Sequence, residues 1–254
     1  MPQLQPRDLA WDGCLNVRDL GGLPTRDGGS TRFGALVRAD SVRQLTEDGW
    51  QALVDHGVRT VIDLREDDER AGDPPAELPV EVVHVPFFQS TEEDRHEMAA
   101  ELDAAVAAAP DVATATRDVY LIFLERFRAN IAVAVRAVAR APEGGVVIHC
   151  AGGKDRTGLL SAFLLHLAGV ADDEIVTDYA LSEERLRPRH EAWFAAAESE
   201  EELERLRRIA QTPAASMAGV FAELDVRYGG VEEYLRSAGV RDDELRLARA
   251  RLHG

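Results

Sequence analysis

The residues with the clearest chemical meaning lie in one short stretch, 146–160, which reads VVIHCAGGKDRTGLL. An apolar run ends at Cys150, and five residues separate this cysteine from Arg156, after which the chain is apolar again. This pattern predicts a strand, a tight loop and a helix. The two glycines of the loop, Gly152 and Gly153, are expected to take positive φ angles and to turn backbone N–H groups inward, which forms a nest for an anion.

The groups around this loop suit a phosphate. The N-terminus of the predicted helix adds partial positive charge and free N–H donors, and Arg156 adds a planar fork for two phosphate oxygens. A cysteine beside cations at a helix N-terminus favours the thiolate, which is the nucleophilic form. We therefore expect Cys150 to attack a bound phosphorus atom. The predicted phosphate-binding residues are Ala151, Gly152, Gly153, Lys154 and Arg156.

Two neighbours of the loop have predicted supporting roles. Thr157 follows the arginine, and its hydroxyl is expected near the sulfur, where it helps the sulfur to leave in the second step of a phosphoryl transfer. His149 precedes the cysteine and is expected to order the loop through backbone contacts. A role for His149 as a base is not predicted, because a thiolate that is already formed needs none.

Strands and helices that position this loop are predicted from hydrophobic periodicity. Apolar runs predict buried strands at 58–64, 80–85 and 146–149, and a shorter strand at 35–37. Thr46 is a predicted N-cap, and other predictions are an acidic loop at 89–95, a long helix at 117–140 and helices from 157 onward. Strands that alternate with helices indicate an α/β domain with a central, mainly parallel sheet flanked by helices, and a C-terminal helical cap.

Length and charge restrict the possible classes of protein. The chain has 254 residues, which favours a single domain over 1–254. It carries 29 Lys and Arg residues against 46 Asp and Glu residues, a formal net charge of −17. Such a charge argues against nucleic-acid binding and against docking on an anionic membrane. The charged stretch 182–216 is interpreted either as a solvated helical pair or as a mobile lid, and the sequence leaves both open.

Other features point to a cytoplasmic protein without integral membrane association. The N-terminus has no apolar segment of the signal-peptide type, and the most apolar stretch, 158–170, is too short to span a bilayer. Export without a signal peptide stays open. The two cysteines, Cys14 and Cys150, do not resemble a disulfide framework. The seven histidines form no paired ligand motif, so neither a metal nor another cofactor is expected.

The Cys-X5-Arg loop resembles the signature of the protein tyrosine phosphatases. Its GKDRTG form is similar to a bacterial branch that is also described as dual-specificity and phosphoinositide phosphatases. Other segments resemble this branch as well: NVRDLGG at 16–22, RAD at 38–40, VIDLR at 61–65, DY at 178–179 and YGGVEEYL at 228–235. Residues 89–116 and the charged helices from 182 carry no such match.

This resemblance implies a tyrosine phosphatase-like fold and hydrolysis of phosphate monoesters through a phosphocysteine intermediate. The implied partners are a phosphorylated protein, foremost its phosphotyrosine, or a small phosphate ester, with inorganic phosphate as product. Two alternatives share this chemistry, a phosphoinositide phosphatase and a small-metabolite phosphatase. Two others do not: a phosphate-binding module without turnover, and a rhodanese-like sulfurtransferase, against which the GKDRTG sequence argues. A nucleotide-binding P-loop is excluded, because Lys154 is followed by Asp155 rather than by Ser or Thr.

The proton donor is less clear than the nucleophile. The resemblance implies Asp155, inside the loop, as general acid and later as general base for water. Asp63, at the end of a predicted strand, is an alternative, although a carboxylate that holds Arg156 or Arg38 is the preferred interpretation. The acidic residues 92–94 are interpreted as a solvated loop, with loop closure as a further source of the acid.

The lysine of the loop bears on the substrate. A lysine at this position also occurs in inositol-lipid phosphatases, where extra positive charge meets extra phosphates. Those enzymes often carry a second lysine directly after the cysteine, and this chain has Ala151 there. The sequence therefore indicates a polyphosphorylated substrate only in part.

Overall fold

A five-stranded sheet carries the cysteine loop. The computed structural model describes residues 7–73, 77–88 and 92–253. The strands of the sheet are β1 (Arg18–Asp19), β2 (Leu36–Ala39), β3 (Val58–Asp63), β4 (Glu81–His84) and β5 (Gly145–His149). Their order across the sheet is β1-β2-β5-β3-β4. All neighbouring pairs are parallel except β1 with β2, so the predicted α/β class with a mainly parallel sheet is confirmed.

The central position of β5 explains its sequence. Val146, Val147 and Ile148 have no exposed surface, and the neighbouring strand β3 is buried at every position but one. Strands that are covered on both faces are apolar throughout rather than alternating. Because β5 lies between β2 and β3 and runs parallel to both, the loop that follows it meets the C-terminal ends of two other strands. Ligand sites of parallel sheets lie at this edge.

Helices cover the sheet and form the C-terminal half of the chain. They are α1 (Glu47–Asp55), α2 (Asp67–Arg70), α3 (Glu92–Ala108), α4 (Val112–Arg126), α5 (Arg128–Arg140), α6 (Arg156–Leu167), α7 (Asp172–Arg185), α8 (Arg187–Ala196), α9 (Glu200–Ala210), α10 (Ala214–Tyr228), α11 (Val231–Ser237) and α12 (Asp242–Leu252). A short 3-10 helix, Val42–Gln44, follows β2. Thr46 caps α1 as predicted, since its hydroxyl accepts a hydrogen bond from the N–H of Gly49 (3.2 Å).

Two predictions about these elements are wrong. The helix predicted at 117–140 is interrupted at Phe127, whose φ of −111° and ψ of 25° are not helical. The ring of Phe127 is buried and packs against Phe88 (5.4 Å between ring centroids) and Phe123. The loop predicted at 89–95 is already helical from Glu92, where α3 begins. Residues 89–91 and the side chains of 92–94 lie outside the part of the chain that the structure describes. The predicted closure of residues 92–94 over the site therefore stays a prediction.

Burial is continuous from the sheet into the C-terminal helices. One apolar cluster joins Leu36 of β2 and Ile148 of β5 to Phe163 of α6, Tyr234 of α11 and Leu252 of α12. The helix after the loop, α6, is buried at nearly every position, so the loop is held by a rigid element on each side. Within the described ranges, no helix is both long and apolar enough to cross a bilayer.

Candidate active site

The cysteine loop has the predicted order of elements. Cys150 directly follows β5, is 3% exposed and carries a free thiol, and α6 begins at Arg156. The positive φ predicted for Gly153 is confirmed at +63°, while the same prediction for Gly152 is wrong, because this residue is not among those with positive φ. A Cβ atom on Gly153 would lie 2.4 Å from the carbonyl oxygen of Ala39. Backbone conformation and close approach to β2 therefore both require a glycine here.

Two carbonyl groups of the loop are held from outside by buried side chains. The amide of Asn16 donates to the carbonyl oxygens of Gly152 (3.0 Å) and Gly153 (3.1 Å). The guanidinium of Arg38 also donates to the oxygen of Gly153 (2.7 Å). Both Asn16 and Arg38 are almost fully buried. Arg38 was a predicted supporting residue, and its role is to fix the backbone of the loop.

A third carbonyl, that of Ala151, is held in the same way. It accepts hydrogen bonds from the N–H of Ser41 (3.2 Å) and from the guanidinium of Arg189 in α8 (3.2 Å). Arg189 is itself fixed by an ion pair with Asp40. The carboxylate of Asp40 also accepts from the backbone N–H of Asn16 (2.9 Å). Asp40 therefore connects Asn16 and Arg189, which both hold loop carbonyls.

This arrangement determines where the loop amides point. In a trans peptide the C=O of one residue and the N–H of the next lie on opposite sides of the bond. Fixing the carbonyls of Ala151, Gly152 and Gly153 outward therefore turns the next three N–H groups to the inner side of the bend. The N–H groups of residues 151–155 donate to no acceptor in the described part of the chain. The three that face the inner side are free donors, which is what the predicted anion-binding nest needs.

Arg38 is held in turn by a buried cluster of charges. Asp178 of α7 accepts from Arg38 (2.8 Å) and from Arg18 (3.0 Å), and Arg7 pairs with the same carboxylate. Burial raises the pKa of Asp178, but the charges of Arg18 and Arg38 outweigh it and hold the pKa well below its usual range. Burial and the neighbouring Arg38 lower the pKa of Arg18 to about 9. A buried charge needs such partners to remain ionised.

Arg156 lies against a helix on the other side of the loop. Its two Nη atoms donate to the carboxylate of Glu69 in α2, with Nη2 2.7 Å from Oε1, and Nη1 is 3.6 Å from the carboxylate of Glu66. Burial lowers the pKa of Arg156, but hydrogen bonding to Glu69 outweighs it and the net effect raises the pKa. Each Nη carries a second N–H. Glu69 therefore orients the guanidinium while leaving it donors for a ligand.

The predicted pairing of Asp63 with Arg156 or Arg38 is wrong. Its carboxylate accepts from Nε (3.0 Å) and Nη2 (2.9 Å) of Arg65 and lies 3.2 Å from Arg70. Arg65 follows Asp63 by only two residues, and its guanidinium binds the Asp63 carboxylate in place of Arg156 or Arg38. Although burial acts in the opposite direction, these bonds lower the pKa of Asp63. Asp63 is only 2% exposed and its oxygens are bound to arginines, so it lacks the exposure that a proton donor to a ligand needs.

His149 has the predicted backbone contact. Its Nδ1 lies 3.3 Å from the carbonyl oxygen of Cys150, and its Nε2 is 3.6 Å from the carboxylate of Asp63. Burial lowers the pKa of His149 to about 4, although the charge of Asp63 opposes this shift. The imidazole is therefore neutral at neutral pH and donates from Nδ1 to the loop.

Asp155 is held by a pair of buried tyrosines. The hydroxyl of Tyr120 in α4 donates to Oδ1 of Asp155 (2.5 Å) and lies 2.9 Å from the hydroxyl of Tyr179. Burial and the charge of Asp155 raise the pKa of Tyr120 well above its usual value, so its proton stays in place. The side chain of Asp155 is 43% exposed. It can therefore reach a ligand while one oxygen is fixed from behind.

Three further residues of the sequence analysis are Lys154, Thr157 and Cys14. Lys154 donates from Nζ to the carbonyl of Ile209 in the last turn of α9 and is 3.7 Å from Asp155, so its ammonium group caps a helix. The hydroxyl of Thr157 is buried and has no hydrogen-bond partner within the described ranges, so its role beside the sulfur stays a prediction. Burial and the carboxylate of Asp40 raise the pKa of Cys14, which is typical of an unreactive thiol.

The stretch 182–216 contacts the loop through two of its helices. Arg189 of α8 binds the carbonyl of Ala151, and the C-terminus of α9 accepts from Lys154. His190 is buried beside Trp193. These contacts place α8 and α9 at the loop, and the mobile lid stays a prediction.

Comparison with known proteins shows the family to which this chain belongs. A model of the tyrosine phosphatase family matches residues 9–254. The chain belongs to this family. It is 30% identical over 224 residues to a tyrosine-protein phosphatase of Nostoc commune, covering 86% of this chain and 74% of the relative. It is 27% identical over 273 residues to the triple specificity protein phosphatase PtpB of Mycobacterium tuberculosis, covering 95% and 98%.

Membership of the tyrosine phosphatase family confirms the resemblance that the sequence motifs indicated. This tyrosine phosphatase is a phosphoric monoester hydrolase, and its substrates are phosphorylated. Several residues of the candidate site were not predicted from its sequence. Asn16, Arg18 and Asp178 lie in segments that resemble the family, which was the available signal. Glu69, Tyr120 and Arg189 lie outside those segments, and only the tertiary structure brings them to the loop.

Proposed function

We propose that this tyrosine phosphatase acts through a phosphocysteine intermediate on Cys150 and prefers phosphotyrosine in proteins. The observation that carries the proposal is the row of free N–H groups created by fixing three loop carbonyls outward, with Arg156 at its end. Donors that are fixed before the substrate arrives need no reorganisation when charge develops on the equatorial oxygens of the phosphoryl group.

In the first step, the thiolate of Cys150 attacks phosphorus and the bond from phosphorus to the ester oxygen breaks. Asp155, in its protonated form, gives its proton to that oxygen, and the alcohol leaves. The loop amides and Arg156 hold the three equatorial oxygens. The phosphoryl group is then bound covalently to sulfur, and Asp155 is a carboxylate hydrogen bonded to Tyr120.

In the second step, water attacks the phosphocysteine. The carboxylate of Asp155 takes a proton from the water as the new P–O bond forms, and the P–S bond breaks. Cys150 returns to the thiolate, inorganic phosphate leaves, and Asp155 is protonated again. The cycle balances with water as the only co-reactant, and a metal is not required by any step.

Tyr120→Phe tests the fixation of Asp155. We expect kcat/KM for an alkyl phosphate to fall about tenfold, because one hydrogen bond to a charged group contributes about 1.5–3 kcal/mol and the remaining ion pair of Asp155, with Lys154, is longer (3.7 Å). Loss of kcat/KM for 4-nitrophenyl phosphate, whose leaving group needs little protonation, should be smaller. Tyr179→Phe is the matched control, since it keeps the bond from Tyr120 to Asp155. Equal losses on both substrates would contradict this role.

A substrate panel tests the proposed preference. The panel ranks substrates by kcat/KM and contains phosphotyrosine, phosphoserine and phosphothreonine peptides, inositol phosphates, phosphoinositides and sugar phosphates. We expect phosphotyrosine peptides to rank first, because an aromatic ester oxygen is the better leaving group and places an apolar ring beside the loop. A higher rank for phosphoinositides or for sugar phosphates would replace this preference by one of the alternatives with the same chemistry.

A further inference from the structure

An apolar groove opens beside Asp155. It has a volume of about 560 Å³, and α3, α4 and α9 contribute most of its surface. Asp155, Lys154 and Tyr120 line the same groove, so it is continuous with the proposed proton donor. We call it the α4 groove. Its apolar lining residues are Val106, Ala109, Val112, Ala115, Val119, Phe123 and Ile209.

Two of these side chains are exposed although they are large and apolar. Val106 of α3 is 39% exposed and Ile209 of α9 is 45% exposed. They belong to different helices and meet water in one groove. Apolar surface that remains in water is costly, and a ligand that covers it gains about 25 cal/mol per Å².

Charged groups of both signs line this groove. Its lining contains three carboxylates and three cationic groups, which are Asp103, Asp111, Asp155, Lys154, Arg205 and Arg208. Their formal charges cancel when Asp155 is ionised and sum to +1 when it is protonated, although the whole chain carries a net charge of −17. Neither sign dominates the lining, and the surface between these groups is apolar.

The position of Asp155 determines which part of a substrate enters the groove. A general acid must lie within hydrogen-bond reach of the oxygen that it protonates. The ester oxygen of the substrate therefore lies beside Asp155, and the organic group on that oxygen extends past Asp155 into the surface next to it. We propose that the α4 groove binds the leaving group, and that the enzyme favours phosphate monoesters, phosphotyrosine among them, whose leaving group carries apolar surface beyond the ring that bears the phosphate. This proposal rests on the proposed function of Asp155.

A series of para-alkylphenyl phosphates tests the groove. Growing the alkyl group from methyl to hexyl adds apolar surface and hardly changes the acidity of the phenol, so chemistry stays constant along the series. Burial of one methylene group contributes about 0.8 kcal/mol, which corresponds to about a fourfold gain in kcat/KM. Because the groove is partly open, we expect a gain of about twofold for each methylene group, measured below the concentration at which the esters form micelles.

Substitutions in the groove locate the effect. Val106→Asp and Ile209→Asp place a charge on two different helices, and each is expected to reduce the gain per methylene group to about 1.2-fold or less. Val133→Asp is the matched control, because Val133 is 43% exposed on α5 and does not line the groove. It should keep both the wild-type gain and the wild-type turnover of phenyl phosphate.

The outcomes separate this inference from the proposed function. A wild-type enzyme that hydrolyses phenyl phosphate but gains nothing along the series overturns the groove and leaves the phosphatase mechanism intact. A gain that survives both groove variants also overturns it, because the chain is then bound elsewhere. If Cys150→Ser and the wild type show the same absence of turnover on phenyl phosphate, the mechanism itself fails.

Discussion

Cys150→Ser is expected to abolish turnover of 4-nitrophenyl phosphate, with a loss in kcat of at least about 10⁴-fold, as for removal of the nucleophile in other covalent enzymes. A serine hydroxyl needs a base to become a nucleophile. The nearest imidazole, His149, contacts the carbonyl of Cys150 through Nδ1 and faces Asp63 through Nε2, so neither nitrogen is placed to take that proton.

Binding of phosphate should survive the same substitution. The loop is shaped by Asn16, Arg38 and Arg189, which hold its carbonyls, and none of these bonds involves the sulfur. We therefore expect inorganic phosphate to bind Cys150→Ser within about tenfold of the wild-type affinity, measured by calorimetry. Cys14→Ser is the matched control and should keep its activity, because the thiol of Cys14 donates to the carbonyl of Ser41 and not to the cysteine loop.

Two results would contradict the assignment of the nucleophile. Turnover by Cys150→Ser within about tenfold of the wild type would show that another group attacks phosphorus. Tight phosphate binding by a wild-type protein that turns over no ester would support the alternative of a phosphate-binding module. A rhodanese-like activity is separated from both by an assay with thiosulfate, for which no turnover is expected.

Asp155→Asn should change the dependence on the leaving group. For an alkyl phosphate, whose leaving oxygen must be protonated, we expect kcat/KM to fall by about 10²–10⁴-fold, the usual contribution of a general acid. For 4-nitrophenyl phosphate the loss should stay within a few-fold, because kcat/KM reports the steps up to formation of the phosphocysteine, and this leaving group departs as an anion. The asparagine still accepts from Tyr120, so the loop keeps its contact with α4.

The second step provides an independent measurement. Without a base to activate water, hydrolysis of the phosphocysteine slows and the intermediate accumulates, so rapid mixing of Asp155→Asn with 4-nitrophenyl phosphate should give a burst of nitrophenol. Asp63→Asn is the comparison variant, and it should weaken folding through the loss of Arg65 and Arg70 as partners rather than change the leaving-group dependence. Normal turnover of both esters by Asp155→Asn would move the acid to another carboxylate, with residues 92–94 as the next candidates.

Much of the candidate site could be predicted because its chemistry is local. The order of strand, cysteine, glycine, arginine and helix occupies only residues 146–160, and each step follows from propensity and hydrophobic pattern. The positive φ of Gly153 and the start of α6 at Arg156 are therefore predictable and confirmed. The prediction for Gly152 was wrong, because one left-handed residue suffices to turn this bend.

The residues that hold the loop carbonyls from distant parts of the chain could not be predicted in this way. Asn16 lies 137 positions before Gly153, and Arg189 lies 149 positions after Asp40. Asp63 was assigned to the wrong arginine, because a nearby Arg65 competes for the same carboxylate and spacing does not decide such a competition. Folding brings these groups together at the C-terminal ends of parallel strands, which come from distant parts of the chain.

The residues of the 146–160 stretch alone predicted an anion loop with a nucleophile, since backbone conformation and side-chain chemistry act over a few neighbouring positions. Which way the loop amides point, which carboxylate orients Arg156 and what fixes Asp155 were decided by tertiary structure. Each of these depends on hydrogen bonds from β2, α2, α4 and α8, whose directions exist only once the helices have packed on the sheet.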